Sequence, residues 1–129
     1  ITTPQLMAQK VATRVADMAK RSFIPLLGVI ENMSYFESNT GEKFNIFGEG
    51  GGKALADKFG IPILGNIPIS ENTNDIADGG TPLINQNNNS ITKAEIDKLI
   101  NNIAIKLPPI VDESCTGRLA KVFEELSNQ

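Results

Sequence analysis

Two stretches of the chain, "IPLLGVI" at 24–30 and "IPILGNI" at 61–67, follow one pattern: Ile-Pro, two apolar residues, a glycine, then a strand end. Continuous apolar runs of this length are expected of strands buried on both faces, as in parallel sheets covered by helices. Parallel neighbours need a crossover connection, and a short helical stretch, Ala54–Phe59, stopped by Gly60, lies between them. The pair predicts a βαβ unit and an α/β fold class.

The flanks fit that frame. "ITTPQ" at 1–5 reads as the tail of a strand ending in a Pro-marked turn. From Leu6 to Arg21, Met7, Val11, Val15 and Met18 recur at helical spacing with no Gly or Pro inside, which predicts a helix. "KFNIF" at 43–47 alternates as a short strand or hairpin arm does, and "NTGEK" before it supplies a turn at Gly41. "NQNNNS" at 85–90 is a polar, exposed loop. Ser90 is placed to cap a helix in which Ile96, Leu99, Ile100 and Ile103 line one face, and "LPPIVDES" breaks it. Gly117–Leu126 reads as a last amphipathic helix. Each apolar stripe is expected to pack against the sheet.

Composition removes several function classes. A net charge of −3 and a pI near 4.9 offer no footprint for nucleic acid or for an anionic membrane. No apolar run approaches the roughly 20 residues that span a bilayer. One Cys and no His point to a reducing compartment and remove most metal sites built from this chain alone. With Trp absent and a single Tyr, a base-stacking surface is not expected. The chain begins without Met and carries no signal peptide or basic presequence, which leaves processing or trimming open.

Four of the five residues 48–52 are glycine, and Lys53 follows. A P-loop needs G-x-x-x-x-G-K-[ST], so that backbone N–H groups cradle phosphates, the Lys reaches them and the hydroxyl holds Mg²⁺. Here Ala54 stands where the hydroxyl belongs and Phe47 where the first Gly belongs. The glycines read instead as a flexible entry to the helix at 54–59.

"TTPQ", "KVATRVADMAKR", "IPLLGVIENMSYF", "IFGEGGGKALADKFGIPILGNIPI" and "DGGTPLI", taken in order, closely resemble the C-terminal half of Mrp/ApbC-type P-loop ATPases. These are relatives of MinD and ParA that carry iron–sulfur clusters. The resemblance runs from Ile1 to about Ile84 and resumes at "VDESCTGRLAKVFEELS" (111–127), so 85–110 is expected to be an insertion within one Mrp-like domain. It implies a three-layer α/β/α fold with a mostly parallel sheet. It also implies that the Walker A loop, both switch regions and their catalytic Lys and Asp lie upstream of Ile1. No catalytic residue or metal ligand is therefore expected in 1–129, and Mg²⁺ joins ATP only in the full-length protein.

Asn32 stands at the carboxyl end of an apolar strand, where open α/β sheets bind ligands. A carboxamide can pair with adenine N6 and N7 together, which separates adenine from guanine. In the resembled family the matching Asn contacts the base, and the other reading of Asn32 is a turn cap. Pro68 and Ile69 end the second strand; the resemblance places this segment along the adenine face, and plain loop packing is the alternative. Gln5 and Thr3, at a third strand mouth, are weaker candidates.

Many members of the family carry Cys-x-x-Cys just after "MSYF", and two subunits bridge a cluster with these thiolates. Here the segment reads "FESNTGEKF", and Ser38, Asn39 and Thr40 cannot replace soft thiolates. Cys115 lies some 75 residues away and reads as incidental. No cluster is expected on residues 36–47, while the ATP-binding assignment stands. The resemblance further implies a homodimer, iron–sulfur client apoproteins, and a cytoplasmic or organellar-matrix location, with no nucleic acid or membrane partner. Three functions remain: an ATPase that delivers or assembles clusters, a non-catalytic partner-binding scaffold of the same fold, and a MinD-like positioning ATPase. The last helix, "GRLAKVFEELSNQ", lacks the basic face that membrane positioning needs.

Overall fold

The computed structural model describes residues 1–38, 40–70, 80 and 91–107. The expected cap at Ser90, the last helix at 117–126 and Cys115 lie outside the described residues. In chain order the elements are α1 (Leu6–Arg21), β1 (Val29–Glu37), β2 (Lys43–Phe44), α2 (Gly51–Phe59), β3 (Ile63–Ile69) and α3 (Ile91–Lys106). The sheet order is β2-β1-β3.

β1 and β3 run parallel, with α2 in the crossover between them, so the βαβ unit is present. Both strands begin later than their apolar runs. β1 starts at Val29, where its N–H donates to Pro62 O (2.8 Å), and residues 24–28 stay outside the ladder. Pro25 and Pro62 have no N–H to donate, which delays ladder formation on both strands. At the far end β3 runs through Pro68 to Ile69, the pair expected to end it. The parallel register slips once between Val29↔Ile63 and Ile30↔Gly65, is regular from there to Asn32↔Ile67 and then jumps to Phe36↔Ile69, so Pro68 falls inside the second irregularity, where no ladder donor is required.

β2 pairs antiparallel with the end of β1 through Phe36↔Phe44 and Glu37↔Lys43. Gly41, at φ +83°, makes the turn, and the Lys43 ammonium lies 4.5 Å from the Tyr35 ring centroid. On the same edge of β1, Thr2 forms a single parallel bridge to Glu31. Thr2 N–H donates to Ile30 O (3.0 Å), and Asn32 N–H donates to Thr2 O (2.7 Å).

α1 has the predicted bounds, but its apolar row stays largely exposed, with Val11 and Val15 at an open cavity that Val29 and Leu55 also line. Met7, Val11, Val15 and Met18 are between 60% and 70% exposed, and Ala16 is the buried residue of the helix. α2 is longer than predicted: Gly51 and Gly52 form its buried first turn. It ends in a Schellman arrangement, in which Ile61 N–H bonds Ala56 O (3.1 Å) around Gly60 at φ +66°. Val29, Leu55 and Ala56 form the core, with Ala12, Phe59 and Ile61 packed around them. Burying Leu55 contributes about 1.5–3 kcal/mol.

α3 packs on β3. Leu99 is buried against Gly65, where an added Cβ would lie 3.2 Å from the Leu99 side chain. Asn102 Nδ2 donates to Leu64 O (2.8 Å). Ile96 and Ile103 are half-buried, whereas Ile100, expected on the same face, is exposed. The strands are not buried on both faces as their composition predicts. In β3 only Leu64 and Pro68 are buried.

Candidate functional site: a cavity at the carboxyl ends of β1 and β3

The three residues singled out from the sequence, Asn32, Pro68 and Ile69, line one cavity of about 530 Å³. It opens where the regular β1–β3 pairing ends, beyond the carboxyl ends of two parallel strands. Phe47, at the return from the hairpin, and Thr92, buried on α3, complete its walls. Most of the lining is apolar, with a carboxamide and two hydroxyls, Ser70 and Thr92, among it. A flat heteroaromatic ring fits such a lining: apolar faces for its π surface and a few polar groups for its edge.

The backbone at Asn32 is held from several sides. Its Cα is paired with Ile67 of β3, and its N–H donates to Thr2 O on the opposite edge. Asn32 Oδ1 accepts the Met33 N–H (2.9 Å), and Met33 is left-handed at φ 55°. Asn32 thus makes a local turn contact. An amide oxygen has two lone pairs and the NH₂ group two donors, so this contact leaves capacity for a ligand.

Next to it, Glu31 is 6% exposed, in a strand where an unpaired carboxylate would cost several kcal/mol. Its Oε2 accepts the Gly52 N–H at the first turn of α2, and its Oε1 accepts the Ser34 hydroxyl (2.9 Å). Ser34 Oγ also reaches Glu31 O (3.0 Å). A carboxylate at a helix N-terminus satisfies an otherwise unpaired donor and complements the helix dipole. Gly52 is required there: an added Cβ would lie 2.8 Å from Glu31 Cβ. The glycine run is therefore a close-packed helix start, not a flexible entry. Lys53 is exposed and pairs with Asp57 (2.9 Å) along the helix surface rather than turning back to the glycines.

Sequence reasoning missed Glu31, Ser34 and Thr92. A Glu directly after an apolar run, with Ser three residues on, was the available signal, since a strand acid needs a partner. Of the weaker candidates, Thr3 lines a second, largely apolar cavity of about 470 Å³ beneath α1, which Asn32 also borders. Gln5 lines neither cavity; it is exposed at the N-terminus of α1 with no side-chain cap bond. On α3, hydrogen bonding to Glu95 (2.7 Å) and then its charge hold Lys98 above the usual lysine range, on a side chain outside the cavity lining. Among the described residues no group of three or more His, Cys, Asp or Glu could hold a metal ion, and no helix is long and apolar enough to cross a membrane.

A family model of ParA type, described as NUBPL iron-transfer P-loop NTPase, matches residues 1–104. The chain belongs to this family. Among curated relatives, the iron–sulfur cluster carrier protein of Pyrococcus furiosus is 37% identical over 107 residues, covering 80% of this chain and 36% of the relative. That of Deinococcus radiodurans is 44% identical over 85 residues, covering 65% and 24%. The cytosolic Fe-S cluster assembly factor cfd1 of Aspergillus clavatus is 40% identical over 80 residues, covering 61% and 25%. The chain thus spans between a quarter and about a third of these relatives' lengths.

Two solved structures agree on the fold. A nucleotide-binding protein from Archaeoglobus fulgidus, in complex with ADP, superposes with a TM-score of 0.53 at 36% identity, covering 62% of this chain and 33% of that one. The cell division ATPase MinD of Pyrococcus furiosus superposes with a TM-score of 0.60 at 18% identity, covering 81% and 40%. The α/β class expected from the two Ile-Pro strands, and the P-loop NTPase fold that the resemblance implied, are those of the family.

Proposed function

We propose that the chain supplies the base-side wall of the ATP site in an iron–sulfur cluster carrier ATPase. The observation that carries this reading is the convergence of Asn32, Pro68 and Ile69 on one cavity beyond two parallel strands. The Asn32 amide pairs with the adenine edge, Oδ1 accepting from N6 and Nδ2 donating to N7, and Pro68 and Ile69 press on the ring face. The relative crystallised with ADP supports a nucleotide as the ligand. ATP, when bound, supplies the transferable phosphoryl group. The residues of this chain hold and orient the base, and the groups that hold phosphate and Mg²⁺ belong to the upstream half of the full-length protein. Its partners are iron–sulfur apoproteins in the cytoplasm or an organellar matrix, and it works as a homodimer. The hairpin Glu37–Phe44 carries no thiolate, so any cargo cluster is held by other residues.

In the full-length protein, Asn32→Ala is expected to weaken ATP binding by about 1–3 kcal/mol and to narrow the preference for ATP over GTP. Equilibrium binding of both nucleotides measures this. Unchanged affinity and selectivity would reduce Asn32 to its turn contact with Met33.

A further inference from the structure

We infer that Glu31 is a positioning residue for base recognition, acting through Asn32. This role rests on the reading of Asn32 as the adenine contact. Three observations converge on it.

First, Glu31 is buried and directly precedes Asn32 on β1, so whatever fixes its backbone fixes the peptide that presents the carboxamide. Second, its side chain is tied at both oxygens to different parts of the fold. Oε2 takes the Gly52 N–H of α2, and Oε1 takes the hydroxyl of Ser34, which also bonds Glu31 O. Third, the intervening Met33 is left-handed and the β1–β3 register slips just beyond Asn32. A non-Gly residue in that region holds only where surrounding contacts over-determine it. The Ser34 hydroxyl closes the 31–34 segment across Met33, and the α2 contact anchors the closed segment to the helix layer. Without the carboxylate, the N–H bond to Thr2 O and the pairing with Ile67 still hold the backbone of Asn32, but nothing tied to α2 sets the turn that follows it.

The test uses the full-length protein and measures the dissociation constants of ATP and GTP for the wild type, Asn32→Ala, Glu31→Ala, Glu31→Gln, Ser34→Ala and the Glu31→Ala/Asn32→Ala double variant. Each is assayed at a temperature where circular dichroism shows it folded. Glu31→Ala is expected to lower the GTP-to-ATP ratio of dissociation constants about tenfold, which corresponds to 1.4 kcal/mol. Glu31→Gln restores most of it, because its amide oxygen can accept the Gly52 N–H and its NH₂ can donate to Ser34. The double variant falls no further than Asn32→Ala.

A purely structural Glu31 would lower stability and leave the ratio of the folded protein at its wild-type value. That result, with Asn32→Ala still lowering the ratio, overturns the positioning role and spares the base reading. A wild-type ratio in Asn32→Ala overturns both. Where Glu31→Ala does not fold, Ser34→Ala decides: it removes the closure across Met33 while keeping the α2 contact. A lowered ratio then supports the role and a wild-type ratio overturns it.

Discussion

Replacing Gly52 with alanine tests the packing that joins the strand of the site to its crossover helix. An alanine in a helix is ordinarily the better residue, by up to about 1 kcal/mol. Here the added Cβ would lie 2.8 Å from Glu31 Cβ, 2.9 Å from Oε2 and 3.2 Å from Cδ. Carbon atoms rest at about 3.5–4.0 Å, so β1 and α2 must separate by roughly 0.7 Å or Glu31 must leave its position. Displacing Glu31 breaks the bond from the Gly52 N–H to the buried carboxylate, a charged hydrogen bond whose loss costs about 1.5–3 kcal/mol, whereas separating the two elements stretches that bond and opens the packing between them. Set against a propensity gain of about 1 kcal/mol, Gly52→Ala should destabilise the protein by about 0.5–2 kcal/mol. The chain has no Trp, so urea unfolding is followed by far-UV circular dichroism. Glu31→Ala/Gly52→Ala should be less destabilised than the sum of its parts, because the first change already removes the hydrogen bond that the second disturbs and two of the three atoms nearest the new methyl, Oε2 and Cδ. A Gly52→Ala protein as stable as the wild type, or more stable, would refute the claim that Glu31 and α2 are in close contact.

Three further outcomes are expected. The chain alone, purified free of contaminants, should release phosphate from ATP no faster than buffer, because phosphoryl transfer depends on positioned charges that its described residues do not provide; a malachite-green assay reads this. Anaerobic reconstitution with iron and sulfide should leave the chain colourless, and a stoichiometric iron–sulfur chromophore surviving Cys115→Ser would count against the reading of the hairpin. The exposed row Met7, Val11, Val15 and Met18, with the single-residue bridge at Thr2 on the sheet edge, should drive association at micromolar concentration and a rise in melting temperature when the upstream half is added; a stable monomer by light scattering, with no stabilisation, would contradict it.

Local patterns were legible where the residues that decide them are close together. α1 was readable to the residue because its periodicity is unbroken and a Pro precedes it. The Gly41 hairpin and the Gly60 stop were readable because each rests on one glycine's positive φ. The exposure of the α1 stripe was not readable, since that depends on what covers the helix and not on its spacing. The start of α2 was not readable either. Glycines at 50–52 look like a loop, and the partner that makes them a helix start is Glu31, 21 residues earlier. At the candidate site, Asn32 was singled out because it follows an apolar strand, and Pro68 and Ile69 because the resemblance places their segment beside the base. Thr92 was not, because its contribution depends on how α3 lies across β3.

The central claim, that adenine lies against Asn32, Pro68 and Ile69, is tested most directly by photolabelling the full-length protein with 8-azido-ATP and mapping the modified peptide. Label is expected on the segments 29–35 or 63–70, suppressed by excess ATP and much less by GTP. Label confined to other segments, or label on these that ATP does not suppress, would contradict it.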